Sequence, residues 1–233
     1  MSPDASKMRP GSLRAVDERL SYKIACEGIA TALLLIAVVG SGIMAERLSG
    51  GNAALALLAN SIATGGALVA LILSFAAESG AHMNPLVTAA AALQGEMRWP
   101  VALAYATAQA VGGILGVWLA HGMFELPILQ TSQHVRNGFG QWLAEAIATF
   151  GLLVVIAGSR RHGVPATAAA VAAYITGAYW FTASTSFANP AVTLARSLSD
   201  TFAGIAPLDA PGFMAAQAVG LLVALPLLQR LRR

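Results

Sequence analysis

The sequence predicts an all-α membrane protein: six transmembrane helices plus two re-entrant half helices, arranged as inverted three-helix repeats. Three observations predict it. Of 233 residues, 57% are hydrophobic and 11% are charged, whereas soluble domains carry about a quarter charged residues. Charge-free runs such as residues 48–77 recur at lengths that cross a bilayer. Two stretches, Ser79-Gly80-Ala81-His82-Met83-Asn84-Pro85-Leu86-Val87-Thr88 and Ser184-Thr185-Ser186-Phe187-Ala188-Asn189-Pro190-Ala191-Val192-Thr193, share Asn-Pro-x-Val-Thr.

Residues 1–20 are polar, have a slight basic excess and lack helical periodicity, so a cytoplasmic tail is expected there. Residues 21–122 form the first repeat. Its first span runs over 21–45 and is free of charge from Gly28 on; further spans follow and no cleavage pattern ends it, which excludes a secretory signal. A turn at Gly50-Gly51-Asn52 leads to a second span over 53–76. Residues 78–95 are too short and too interrupted to cross again, so the segment from Asn84 reads as a half helix. Trp99 and Pro100 open the third span, to Gly122. Residues 123–137 are a polar connecting loop, expected to be extracellular. The second repeat occupies 138–233, with spans over 138–158, 164–184 and 211–228, a half helix from Asn189 and a short basic tail.

The duplication is visible in three landmarks that recur in order. Glu27-Gly28-Ile29-Ala30-Thr31 answers to Glu145-Ala146-Ile147-Ala148-Thr149, Asn84-Pro85 to Asn189-Pro190, and Ala108-Gln109-Ala110-Val111-Gly112 to Ala216-Gln217-Ala218-Val219-Gly220. Because each copy holds an odd number of spans, the two must lie upside down relative to one another, with half helices entering from opposite faces. An Asn followed by Pro is a helix start: the side chain caps, and Pro at the first helical position lacks only an N–H that would be unpaired anyway. Inside a membrane such a start needs a polar cavity rather than lipid. The bland alternative, two Asn residues that merely cap turns, is weakened by their pairing.

Lys and Arg set the orientation. The N-terminal tail, Arg160-Arg161-His162 and Arg230, Arg232 and Arg233 fall on one side of the six-span arrangement, so both termini are expected in the cytoplasm. The net charge of +3 is then a topology signal, and no nucleic-acid partner is expected. The single cysteine, Cys26, excludes an internal disulfide and a thiolate metal cluster. No cofactor and no metal are expected.

Two Asn-Pro half helices, the Ser-Gly-Ala-His-x-Asn-Pro lead-in, the repeated intramembrane Glu and the inverted six-span duplication resemble the aquaporin and aquaglyceroporin family, the major intrinsic proteins, over residues 21–228. The resemblance implies a homotetramer with one passive pore per subunit for water or small neutral solutes. It implies a pore centre at Asn84, Pro85, Leu86, Asn189, Pro190 and Ala191, with both Asn amides donating to a permeating oxygen while positive helix ends repel cations. Glu27 and Glu145, intramembrane acids that could serve either as scaffold or as a proton relay, would by the resemblance accept hydrogen bonds from the irregular backbone before each half helix. His82 would support its loop, since no second metal ligand stands at suitable spacing, and Gln109 and Gln217 would bridge helices.

Gap-free offsets from the two Asn residues put the family's selectivity constriction at Thr64, Gly177, Ser186 and Val192. Aquaporins with this architecture carry aromatic residues and an Arg there; this chain would carry neither, giving a wider, uncharged opening. A register shift would bring in one of Tyr179, Trp180 or Phe181. Arg196, one helical turn beyond Val192, is expected to point toward the following loop. Val192, Leu86 and the connection Ala203–Phe213 resemble bacterial aquaglyceroporins associated with arsenic resistance. That implies a bacterial inner membrane location and passage of arsenite, an uncharged hydroxide at neutral pH, together with glycerol and some water. The rival classes are a general glycerol and water channel, a secondary transporter, which would need charged or ion-coordinating groups at the midplane, and a membrane-embedded enzyme, for which no nucleophile–base pair is present.

Overall fold

The computed structural model describes residues 10–231, with side chains from residue 18 onward. Residues 1–9 of the expected tail, and Arg232 and Arg233 of the basic C-terminus, lie outside the described residues. Eight α-helices follow in order: α1 Pro10–Leu48, α2 Ala53–Phe75, α3 Pro85–Leu93, α4 Trp99–Met123, α5 Phe139–Ser159, α6 Val164–Phe181, α7 Pro190–Arg196 and α8 Ala210–Leu231, with a 3-10 turn Arg160–His162 between α5 and α6. No strand occurs among the described residues.

The expected spans are met closely except at the start. α1 begins at Pro10, so the second half of the expected tail is helical. Residues 12–27 contain neither Gly nor Pro, and nothing in them stops a helix from continuing outward past its apolar part. α2 starts where Asn52 caps it, accepting from the N–H of Leu55 (3.1 Å). Among the described residues, five helices are long and apolar enough to cross a membrane. The sixth, α6, has 18 residues, about 27 Å of helix, and its Thr and Tyr residues lower its apolarity.

The two repeats interlock. α1 packs on α2 and α4, and α5 on α6 and α8, while α2 meets α6 across the boundary. Each half helix packs on the last span of both repeats: α3 on α4 and α8, α7 on α8 and α4. Small residues set the closest approaches. A methyl built on Gly112 would fall on the Gly28 carbonyl, one on Gly116 on the Ala32 carbonyl, and one on Gly220 on the Ala146 carbonyl. Gly112 and Gly220 close the repeated Ala-Gln-Ala-Val-Gly landmark, so the duplication extends to backbone-to-backbone packing of helices.

The half helices enter from opposite ends. Beyond α3, Glu96 pairs with Arg160 of the α5–α6 turn at 3.0 Å. Beyond α7, Asp200 accepts from the Gln133 N–H (2.8 Å) and the Ser197 carbonyl from the Ser132 N–H (3.0 Å), both donors in the α4–α5 connection. Large apolar side chains such as Leu58, Ile62, Leu103, Leu119 and Leu222 are exposed on the outside of the bundle, as a lipid-facing surface requires.

Candidate functional site

The site is built from two copies of one loop-and-helix unit. In each, an irregular segment runs into the Asn through left-handed backbone: Gly80, Ala81 and Met83 at φ 99°, 50° and 47°, and Thr185, Ser186 and Ala188 at φ 61°, 52° and 48°. Five non-Gly residues in this region before the two Asn–Pro starts are costly, and they persist because each loop is held by a buried carboxylate. Glu27 accepts from Ser79 Oγ (2.6 Å), the N–H groups of His82 (2.9 Å) and Met83 (2.7 Å), and Gln109 Nε2 (2.8 Å). Glu145 accepts from Ser184 Oγ (2.5 Å), the N–H groups of Phe187 and Ala188 (both 2.8 Å), and Gln217 Nε2 (2.6 Å). Gln109 and Gln217 also reach Thr88 and Thr193 Oγ1 at 3.0 and 2.9 Å. Each carboxylate is saturated by donors that orient a loop. His82 Nδ1 lies 3.0 Å from Thr88 Oγ1 and its ring stacks edge-on against Tyr105, which braces the first loop and also exposes His82 to the central cavity.

The loops deliver the two Asn side chains face to face. Asn84 Oδ1 caps α3 by accepting from the Leu86 N–H (2.9 Å); Asn189 Oδ1 caps α7 by accepting from those of Ala191 (3.0 Å) and Val192 (3.3 Å). Pro85 and Pro190 stand at the first helical positions. The amide nitrogens then cross between repeats. Asn84 Nδ2 donates to the Ala188 carbonyl (2.8 Å), and Asn189 Nδ2 to the Met83 carbonyl (2.7 Å). An amide nitrogen has two hydrogens, so one from each Asn is spent on this reciprocal clasp and the second is left for the cavity that both residues line. Leu86 and Ala191 lie away from it: Leu86 packs in an apolar cluster with Val87 and Leu153, and Ala191 is buried beside Gly113 of α4.

A cavity of about 330 Å³ runs from Arg160, Gly163 and Thr167 at the α5–α6 end, past both Asn residues, to Thr64, Tyr179, Ser186, Val192 and Arg196 at the other end. Leu68, Ile72, Leu152, Val171 and Ile175 give it an apolar wall. Thr64, Ser186 and Val192 line it. Gly177 does not: it faces Phe181 on α6, and Tyr179 stands at the cavity with its hydroxyl 3.1 Å from Thr64 Oγ1. Counting back from Asn189 to Gly177 crosses the non-helical stretch after Phe181, where the rise per residue is no longer that of a helix. The Ser186 hydroxyl is buried and has no protein partner. Arg196 reaches back toward the loop, its Nε donating to the Ala203 carbonyl, yet it also lines the cavity. The opening therefore lacks an Arg at Val192 but is not free of arginine one turn away.

Outside the spans, Arg136 of the α4–α5 connection donates through Nε to the Gly204 carbonyl (2.7 Å). Burial lowers the pKa of its guanidinium, with Glu145 and Tyr179 drawing it back up.

Comparison with known proteins agrees with this geometry. The family model for Major intrinsic protein matches residues 15–164. The chain is a major intrinsic protein. As such it is a multi-pass membrane channel, not an enzyme. This major intrinsic protein is 50% identical over 210 residues to aquaglyceroporin AqpS of Rhizobium meliloti (strain 1021), spanning 90% of either chain. Its fold is similar to the X-ray structure of the aquaglyceroporin from Plasmodium falciparum, with a TM-score of 0.69, 21% identity, and coverage of 92% of this chain and 96% of that one. Sequence reasoning left Ser79, Ser184, Thr88 and Thr193 of this channel without a role. Their signal was present, since each pair stands at the same distance from its Asn in the two repeats.

Proposed function

We propose that the channel conducts small neutral polyol-like solutes, glycerol and arsenite among them, with some water. The observation that carries this reading is the two-sided cavity. One wall offers the free amide hydrogens of Asn84 and Asn189, the unpartnered Ser186 hydroxyl and the Thr64–Tyr179 pair; the other is apolar. A solute with several hydroxyls on a compact body can exchange its hydration for those groups while its remaining surface slides on Leu68, Ile72 and Val171. Thr64, Ser186 and Val192 carry no charge, and Val192 leaves open the place an Arg would fill. Arsenite is uncharged at neutral pH and presents hydroxyls much as glycerol does. The likeness to a protein called an aquaglyceroporin supports the glycerol half of the reading.

The same reading has the protein in the bacterial plasma membrane with both termini cytoplasmic, Arg160 and Arg161 at the inner mouth, and four subunits each holding one pore. Purified protein in liposomes tests the transport claim. Reswelling in glycerol and in arsenite should run well above protein-free vesicles and should not depend on an ion gradient; rates equal to those of empty vesicles for both solutes would refute it. Protease protection of the termini and crosslinking in the membrane test the topology and the tetramer.

A further inference from the structure

We propose that Arg196 is a specificity-determining residue of this pore: seated on Phe187, it supplies the fixed positive charge that Val192 does not, barring cations and offering N–H donors to neutral solutes. This rests on the channel reading above. Arg196 is 2% exposed and lines the cavity together with Phe187 and Val192. Its guanidinium carbon lies 3.4 Å from the centroid of the Phe187 ring, its Nε donates to the Ala203 carbonyl, and Phe187 is itself fixed edge-on against Phe213 at 5.1 Å. Cation–π contact and one carbonyl hold the group without neutralising it. Glu96 pairs with Arg160 at the opposite mouth. Glu145 has its four donors already, so Arg196 has no carboxylate of its own. In the same cavity the Ser186 hydroxyl is buried without a protein partner, so an acceptor and donor set waits for a solute.

The duplication shows that the fold does not need this pair. His82 stands in the first repeat where Phe187 stands in the second, and Ala91 where Arg196 stands. Both copies nevertheless build the same left-handed loop, the same carboxylate cradle and the same capped half helix. Because both copies build the left-handed loop, the carboxylate cradle and the capped half helix, a buried cation present in only one of them is not required for that scaffold and has another purpose. An intramembrane Arg facing a cavity is functional by default, because its burial is costly.

The test is ion leak and solute flux in the same proteoliposomes. Arg196→Gln should raise potassium and proton leak about tenfold and raise glycerol permeation relative to water. Placing Val192→Arg in the Arg196→Gln background should restore the cation barrier, a rescue that a merely structural role would not produce. If Arg196→Gln does not reach the membrane, Phe187→Leu removes the seat alone and should raise leak about threefold. Leak and solute ratios unchanged in the variant that folds, or leak that Val192→Arg does not reverse, would overturn the proposal. Failure of the channel reading is distinct: wild-type vesicles would then pass no neutral solute at all.

Discussion

Glu145 offers the sharpest test of how the pore is held open. Its two oxygens accept from Ser184 Oγ, the N–H groups of Phe187 and Ala188, and Gln217 Nε2, and it is fully buried. Ser184 and Gln217 can rotate toward other partners, but the two backbone N–H groups cannot. Glu145→Leu therefore strands at least those two, at about 1–3 kcal/mol each, or roughly 2–6 kcal/mol out of a total that is about 5–15 kcal/mol for ordinary domains. Glu145→Gln keeps one acceptor oxygen where Ser184 and Phe187 donate and turns an NH₂ toward Ala188, stranding one backbone donor, about 1–3 kcal/mol. Gln217, whose Oε1 has no partner, can flip to meet the new NH₂.

The assay is denaturation in mild detergent followed by size-exclusion recovery, alongside glycerol flux at several pH values. The Leu variant should lose about twice the stability lost by the Gln variant, while Gln still conducts with the wild-type pH profile. Equal stability losses for the two variants would refute the donor accounting. A pH-dependent flux present in wild type and abolished by Gln would mean that Glu145 moves protons instead of holding a loop.

Three further outcomes follow from the same geometry. Asn189→Asp puts a carboxylate where one free amide hydrogen faces the cavity and should open a cation leak, seen as potassium-driven dye response; a cation-tight variant with normal glycerol flux would displace Asn189 from the centre. Val192→Arg adds a second guanidinium beside Arg196 and fills open cross-section, so arsenite and glycerol permeation should fall much more than water permeation in liposome swelling; an unchanged ratio would place the constriction elsewhere, with Tyr179 the next residue to vary. Gly112→Leu drives a side chain into the Gly28 carbonyl of α1 and should cost about 1–3 kcal/mol of overpacking, visible as lowered recovery after heating, whereas the same change at Gly140, where a methyl meets nothing within 4 Å, should be tolerated.

Much of the scaffold was legible because the gene is duplicated and the constraint is two-sided. Glu27 and Glu145, Asn84 and Asn189, and Gln109 and Gln217 recur in one order, and the structure brings each Glu and its Gln together on the loop that precedes the Asn. What could not be read lies where the two copies differ or where helix geometry stops. The start of α1 at Pro10 escaped because hydrophobic periodicity reports burial, and residues 10–20 of that helix are not apolar. Tyr179 rather than Gly177 lines the cavity, a placement that an offset counted through the end of α6 cannot specify because the rise per residue there is not that of a helix. Arg196 was expected to turn to the loop; its Nε does, but a side chain that long satisfies a loop carbonyl and the cavity together.

This pattern separates what builds the pore from what tunes it. The carboxylate cradles and the reciprocal Asn clasp appear twice because each half helix breaks a membrane-buried backbone, and every freed N–H then needs a partner from the protein itself. Those bonds are the same in both copies, so they cannot distinguish one solute from another or one mouth from the other. Discrimination must come from positions where the copies differ: Thr64 with Tyr179, Ser186 against Ala81, Arg196 against Ala91, and the exchange of His82 for Phe187. Substitutions in the twinned carboxylate cradles, which do not line the cavity, should therefore change folding and all fluxes in proportion, and those at untwinned cavity positions should change the ratio of one flux to another. A twinned residue such as Gln217 that altered the glycerol-to-water ratio without lowering stability would break that division.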